Sequence, residues 1–374
     1  MKNRKVHIAL FNTNLRDCSF GGAERVMLNL AQGFASLKLN VDLVLIQPGS
    51  FPFLGELPPE VRVVGLKWSH RGFLSLLALI PYLYREKPQA LLSTLSVANV
   101  VAIWAKLLSG VATHITIREA NTISRHIQPD NIRQRLILFL VRFSYSRADS
   151  IVAVSQGVAT DMSRVLGLPL ERIQVIYNPT VTPVILTKAN ATLEEPWFAP
   201  GQPPVILSVG RLYPQKDYTT LIRAFARLQQ LRPAHLMILG EGTERLHLEN
   251  LVRELGLTSE VSLPGFVTNP YAYIARAQVF VLSSIYEGLP NSLIEAIACG
   301  TPVVSTDCES GPREILGGGE YGRLVQVGDV ESLAEAILAT LENPIDSEVL
   351  QQRANLFSLE RITNQYLESL NLNR

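Results

Sequence analysis

Short apolar runs alternate with amphipathic segments along almost the whole chain, and the alternation is played out twice. Residues 6–11, 41–46, 61–64, 90–93, 115–117 and 150–154 read as buried strands. Helical spacing separates most of them, as in the segment opened by Gly21 and Gly22, where Val26, Leu30 and Phe34 recur every four residues. The pattern breaks at Tyr177-Asn178-Pro179 and stays broken, through a Pro- and Thr-containing stretch, to about Pro204. It restarts with residues 205–209, 235–239, 261–263, 279–283 and 302–305. Strands alternating with helices call for parallel sheets covered on both faces. The expected fold class is therefore α/β, in two units with a sheet each, and residues 359–370 read as a terminal helix after the second.

The length agrees with that division, because 374 residues exceed one ordinary core. Hydrophobic residues make up 47% of the chain, and 34 Lys+Arg nearly balance 33 Asp+Glu, which excludes a disordered chain. Cys18, Cys299 and Cys308 are too few for a disulfide framework and lack metal-ligand spacing, so a reducing setting, the cytoplasm, is expected. The start of the chain shows no signal-peptide pattern. The longest apolar run, residues 73–84, is interrupted by Pro81 and is too short for a membrane span, which needs about 20 residues. The charge balance hides an asymmetry: residues 1–180 carry 20 Lys+Arg against 11 Asp+Glu, a net of +9, and residues 181–374 carry 14 against 22, a net of −8. A basic first half suits an anionic partner, nucleic acid or a phospholipid surface.

Open parallel sheets bind ligands beyond the carboxyl ends of their strands. Three such places carry chemistry. Residues 17–25 follow the first strand, and Gly21 and Gly22 before a helix would let an anion approach free N–H groups; a plain tight turn is the alternative. Residues 208–218 place Gly210, Arg211 and Lys216 on a strand-to-helix loop, where a guanidinium fork and a mobile ammonium suit a diphosphate; two surface cations are the alternative. Residues 283–296 are the richest. Glu287 lies on the loop, a helix starts at Pro290 or Asn291, and Glu295 follows about one turn in, among Leu293, Ile294, Ala296 and Ile297. A carboxylate on so apolar a helix needs partners, and two ribose hydroxyls would serve.

Other signals are weaker. Residues 240–245 resemble the start of a dinucleotide fingerprint, but Arg245 stands where the third glycine belongs, which disfavours a nicotinamide cofactor. Asp307-Cys308-Glu309 reads as a turn rather than a metal site. His7 and His114 read as core histidines. No Ser/His/Asp order and no His-Glu-x-x-His helix is present.

The stretch Glu287-Gly288-Leu289-Pro290-Asn291-Ser292-Leu293-Ile294-Glu295-Ala296 resembles the glutamate, seven residues, glutamate motif of family-4 retaining glycosyltransferases. Gly-Gly-Ala-Glu-Arg at 21–25, Gly210-Arg211 with Lys216, and Gly300-Thr301-Pro302-Val303-Val304 fit the same family in the right order, covering nearly the whole chain. The resemblance implies two Rossmann-like domains with parallel sheets facing a cleft, the GT-B architecture. It implies an N-terminal acceptor-binding domain over 1–180, completed by the final helix in 357–374, and a nucleotide-sugar-binding domain over 181–356. Residues 310–316 and Tyr177-Asn178-Pro179 look most like the branch that adds amino sugars or hexoses to polyprenyl-diphosphate or polysaccharide acceptors.

On that resemblance Arg211 and Lys216 would hold the donor diphosphate, Glu295 the ribose, and Glu287 the hydroxyls of the transferred sugar. Gly210, Leu289 and the backbone N–H groups of Gly288 to Asn291 would help bind the donor. Gly21 and Gly22 would lie against the cleft near the phosphates and acceptor. The family retains configuration by front-face attack guided by the leaving phosphate, so neither a protein nucleophile nor a cofactor or metal is expected. UDP-sugars are the favoured donors, with GDP-mannose as an alternative. The chain departs from the family where many members carry a histidine after the fifth strand. Here that loop reads Arg118-Glu119-Ala120-Asn121, with His126 further on, and Arg118 and Asn121 become the candidates for the phosphate or acceptor cleft.

The competing readings are a sugar-nucleotide 2-epimerase, against which the Glu287/Glu295 spacing argues, and a non-catalytic sugar-nucleotide-binding homologue, which would have lost one of the four charged residues. Nucleic acid is not expected as a partner, since no recognition helix or aromatic platform is visible. Arg125, Arg133, Arg135, Arg142 and Arg147 interleave with Leu136, Ile137, Leu138, Phe139, Leu140, Val141 and Phe143. This is the composition of a helix that rests on an anionic bilayer. The expected location is therefore cytoplasmic, peripheral on the inner face of the cytoplasmic membrane, beside a lipid-linked or glycan acceptor.

Overall fold

The structure is a computed structural model that describes residues 6–12, 21–46, 54–66, 72–127 and 131–372. Residues 17–20 of the first candidate loop, Cys18 among them, lie outside the described residues, as do the side chains of His126 and Arg133. The chain forms two compact units, Met1–Pro179 with Leu359–Arg374, and Thr180–Ser358.

In the first unit the described strands are β1 (His7–Asn12), β2 (Asn40–Leu45), β3 (Val61–Gly65), β4 (Ala90–Thr94), β5 (His114–Glu119), β6 (Ser150–Ala153) and β7 (Ile173–Val175). They form one sheet in the order β3-β2-β1-β4-β5-β6-β7, and every pairing is parallel. Leu10 of β1 stands opposite Leu43 on one side and Leu92 on the other. Helix Gly22–Ser36 buries Val26, Leu30 and Phe34 against this sheet's core. The last helix, Leu359–Ser369, closes the same core with Ile362, Tyr366 and the following Leu370, all fully buried. Its carbonyl at Ser369 accepts from Thr116 Oγ1 at 2.9 Å and lies 3.1 Å from His114 Nε2. Pro81 does not end a helix, because helix Leu76–Glu86 runs through it.

The second unit has β8 (Val205–Val209), β9 (His235–Leu239), β10 (Val261–Gly265), β11 (Val279–Leu282), β12 (Val303–Thr306) and β13 (Arg323–Val325), in the order β10-β9-β8-β11-β12-β13. Again every pairing is parallel. Helix Tyr218–Gln229 starts where the Asp217 carboxylate accepts from Thr220 N–H at 3.3 Å, and buries Leu221, Ile222, Phe225 and Leu228. Truncating Phe225 to alanine would cost about 3–5 kcal/mol through the cavity it leaves.

The stretch that breaks the sequence pattern is ordered. Helix Pro183–Ala189 and the turn Pro196–Phe198 belong to the second unit. Arg276 donates to the carbonyls of Ala189 at 3.1 Å and Ala191 at 2.9 Å, and Trp197 stacks on His235 with ring centroids 4.2 Å apart.

Neither histidine expected in the core is fully buried. His7 and His114 sit at the first positions of β1 and β5, half-exposed. His7 Nε2 lies 2.9 Å from Asp42 Oδ2. Polar partners at the strand starts, rather than apolar packing, hold both rings.

Candidate functional site

The strand order of the second unit reverses direction between β8 and β11, the switch point at which an open α/β sheet leaves a crevice beyond its carboxyl ends. The loops leaving these two strands carry most of the donor residues expected from the sequence. Gly210 and Arg211 follow β8 directly, and Lys216 ends the turn Pro214–Lys216. Gly210 allows a close approach, since a Cβ there would stand 2.7 Å from Tyr218 Oη. Arg211 is exposed, its guanidinium 4.9 Å from the centre of the Tyr213 ring.

Five hydrogen bonds organise the two loops. Ile285 N–H donates to Gln215 O at 2.8 Å, and Gln215 Nε2 to Tyr286 O at 2.8 Å. Ser283 Oγ donates to Lys216 O at 2.7 Å. Lys216 Nζ meets Glu287 Oε1 at 2.5 Å, and Ser284 Oγ donates to the same oxygen at 2.7 Å. Glu287 is thus buried, 7% exposed, with an ammonium and a hydroxyl on one carboxylate oxygen. A buried charge needs such partners.

Pro290 caps helix Asn291–Ala298, so Glu295 falls just over one turn in. Gly288, Leu289 and Pro290 are buried between these two glutamates. Glu295 is half-buried and accepts from Tyr271 Oη at 3.3 Å. The Cys299 thiol one turn further on is pushed up to about 12 by burial and by the Glu295 charge.

In the first unit the switch point lies between β1 and β4. Gly21 and Gly22 open the helix after β1, and Gly21 N–H donates to the buried Glu24 carboxylate at 3.1 Å. One of the N–H groups expected for an anion is therefore already bonded within the chain. Arg118 is 1% exposed, donating to Thr94 Oγ1 at 2.8 Å and to Asn178 Oδ1 at 2.5 Å, both neutral groups of the same unit. Asn121 is half-buried just beyond β5.

Two features of this unit escaped sequence reasoning. Leu95, after β4, holds φ +78 and ψ 142, a conformation that a branched side chain adopts only under constraint. Next to it, Ser96 Oγ donates to Glu119 at 3.1 Å, and Tyr145 Oη donates to the same oxygen at 2.6 Å. Burial raises the Glu119 carboxyl to about 7 despite these donors.

The basic segment forms helix Ile132–Tyr145. It does not bury all of its apolar residues. Val141 and Tyr145 are inside, while Ile132, Leu136, Phe139 and Phe143 are 87%, 57%, 61% and 42% exposed, at helical spacing along one stripe. Leu107 and Leu108, on the neighbouring helix Ser96–Ser109, are also exposed. Arg125, Arg135, Arg142 and Arg147 are exposed, Arg142 donating to Leu166 O at 3.1 Å.

The discounted signals resolve simply. Arg245 opens helix Arg245–Glu254 and pairs with Glu241 at 2.7 Å and Glu249 at 3.0 Å. Asp307 pairs with Arg313. Among the described residues no group of three His, Cys, Asp or Glu side chains could hold a metal ion.

The Glycosyltransferase Family 4 model matches residues 20–182 and the Glycosyl transferases group 1 model matches residues 190–357. The chain belongs to the family-4 glycosyltransferases, with a GT-B fold. It is 34% identical to an N-acetylgalactosamine-N,N'-diacetylbacillosaminyl-diphospho-undecaprenol 4-alpha-N-acetylgalactosaminyltransferase of Campylobacter jejuni, over 86% of this chain and 87% of that protein. It is 33% identical to the lipopolysaccharide core biosynthesis glycosyltransferase LpsE of Rhizobium meliloti, over 94% and 96%. Among solved structures, Anabaena HepE in complex with UDP superposes with a TM-score of 0.77 at 21% identity, covering 98% of this chain and 100% of that one. Sucrose-phosphate synthase of Thermosynechococcus elongatus gives 0.80 at 22% identity, covering 97% and 98%.

Proposed function

We propose that this glycosyltransferase moves a hexose or N-acetylhexosamine from a UDP-sugar to a polyprenyl-diphosphate-linked or polysaccharide acceptor, with retention of configuration and without a metal. The observation that supports the donor half is the bonded pair of loops at the β8/β11 switch point, where Lys216 pairs with the buried Glu287 a short way before the helix that carries Glu295. The acceptor half rests on the relatives at 33–34% identity, named for a lipid-diphosphate-linked glycan and for lipopolysaccharide core.

In this reading Arg211 and Lys216 bind the diphosphate and offset the charge that grows on it as the anomeric C–O bond breaks. Lys216 already faces Glu287, so the ammonium stands between a carboxylate that meets the sugar and a phosphate that leaves it. The bond cleaves through an oxocarbenium-like state. The acceptor hydroxyl attacks from the leaving-group face and its proton passes to the departing phosphate oxygen, yielding the glycoside and UDP. Glu295, with Tyr271 on one oxygen, accepts from the ribose hydroxyls. On this reading the acceptor meets the unit Met1–Pro179 with Leu359–Arg374, and the donor the unit Thr180–Ser358.

The exposed stripe Ile132, Leu136, Phe139 and Phe143, among exposed arginines, supports peripheral attachment to an anionic membrane on its cytoplasmic side. No helix among the described residues is long and apolar enough to cross a membrane.

The test is a thermal-shift screen against UDP-, GDP- and ADP-sugars, followed by mass spectrometry with lipid-linked acceptors and EDTA present. A UDP-sugar shift and a glycosylated acceptor are expected. A 2-epimerised sugar with free UDP and no glycosylated acceptor would overturn the transfer reading. Loss of product on adding EDTA would overturn its metal independence.

A further inference from the structure

Ser310-Gly311-Pro312 takes no part in the donor chemistry above, yet it is built against the loop that does. β12 ends at Thr306, and the turn after it packs on residues 288–290. Ser310 is 3% exposed, and its Oγ donates to Gly288 O at 2.8 Å. Gly311 has φ +95, and a Cβ there would stand 2.6 Å from Pro290 Cδ, 3.0 Å from Gly288 O and 3.1 Å from Leu289 Cα. One residue thus supplies the donor that fixes the Gly288 carbonyl, and the next supplies the space that lets the loop come close. A trans peptide is planar, so its C=O and N–H point in opposite directions. Fixing the Gly288 carbonyl toward Ser310 therefore directs the Leu289 N–H away from Ser310. The loop is held elsewhere too: Gln215 and Lys216 bond it at Ile285, Tyr286 and Glu287, Ser284 Oγ donates to Glu287 Oε1, and Thr180 Oγ1 donates to Asn291 Oδ1 at 3.2 Å.

We propose that Ser310 and Gly311 are positioning residues for sugar transfer, holding the Gly288–Leu289 peptide, and through it Glu287, in the geometry that the transferred sugar meets. The inference rests on the donor reading above. It assigns Ser310 an effect on turnover rather than on nucleotide affinity, because the ribose and diphosphate are held by Glu295, Arg211 and Lys216.

The experiment compares the full-length wild type with Ser310→Ala, Ser310→Thr and Gly311→Ala. Three readouts are taken: UDP affinity by calorimetry, UDP release from the nucleotide-sugar selected by the screen, and amide exchange of peptides spanning residues 284–293. Ser310→Ala is expected to quicken exchange at 288–291 at least threefold and to lower turnover about tenfold, as small misplacements of reacting groups do. UDP affinity should stay within twofold. Ser310→Thr, which keeps the hydroxyl, should recover turnover to within threefold of wild type. Gly311→Ala displaces the loop by bulk instead of releasing it, so it should lower turnover while UDP affinity stays. Unchanged exchange or unchanged turnover in a folded Ser310→Ala would overturn the inference alone. A fall in UDP affinity equal to the fall in turnover would also overturn it, since that is general loosening. A wild type that neither binds UDP nor turns over donor would overturn the donor reading, and this role with it.

Discussion

Replacing Glu119 by glutamine isolates one buried titration. The carboxyl ends β5, 3% exposed, with Tyr145 and Ser96 donating to one of its oxygens. Burial raises its pKa from 4.5 to about 7, against the opposing effect of the two hydroxyls, the Ala120 N–H and the Arg118 charge. Between those values the folded chain keeps a proton that the unfolded chain has lost. Unfolding then releases a proton, and stability falls as pH rises. Below 4.5 both states are protonated and nothing is lost; above about 7 the full penalty applies. The interval is equivalent to about 3 kcal/mol. Glutamine mimics the protonated acid and escapes the penalty. Urea unfolding of both proteins at pH 5, 6, 7 and 8, read as variant minus wild type, cancels the titration of every other group. The advantage of Glu119→Gln is expected to grow by about 2–3 kcal/mol from pH 5 to pH 8. A difference that stays constant with pH would refute the reasoning.

Arg211→Ala and Lys216→Ala should each lower turnover at least about tenfold without unfolding the chain, each losing a charge-assisted contact worth about 1.5–3 kcal/mol; near-normal kcat/KM in both would reject the diphosphate site. Glu295→Ala should mainly weaken UDP binding and Glu287→Ala mainly slow transfer, as separate calorimetry and kinetics would report. Leu136→Ser with Phe139→Ser should abolish sedimentation with anionic liposomes at low salt, and a wild type that fails to sediment would remove the membrane from the picture. Burial alone would raise the pKa of Asp42, but Arg62, His7 and Tyr82 outweigh it and hold the folded value below the ordinary 3.8. That stability is present above 3.8 and lost as pH falls through the lower folded value, so Asp42→Asn should cost about 1–3 kcal/mol at pH 7 and flatten the acid limb of the unfolding curve.

What a linear reading reaches here depends on how local the cause is. The runs at β1, β2, β4, β8 and β9 are buried on both faces, so their apolar character is continuous and visible. The edge strands β7 and β13 have three residues each and carry Gln174 and Arg323 toward solvent, so neither stands out from a loop. Helix starts at Gly22 and Asn291 follow from local turn chemistry. The burial of Arg118 has the opposite origin: its partner Asn178 lies 60 residues away, and nothing near an arginine in the chain announces that it will be buried. Ser310 escaped for the same reason, and Ser284 because its partner Glu287 is near in sequence but met only through the folded loop. A loop serine is ordinary until the fold sets its hydroxyl against a carboxylate or a carbonyl, and the Ser310 partner is 22 residues distant.

The closing helix has a consequence for how the molecule is made. Ile362, Tyr366 and Leu370 cover the same apolar cluster as Leu10, Leu30 and Phe34, yet they leave the ribosome only after Thr180–Ser358 has been synthesised. At about 5–20 residues per second that interval is on the order of 10–40 s. Throughout it the first unit lacks the three side chains that close its core. The domain that begins first is therefore completed by residues made after the whole of the second, and a nascent chain stalled before residue 359 would leave Leu10, Leu30 and Phe34 without that cover.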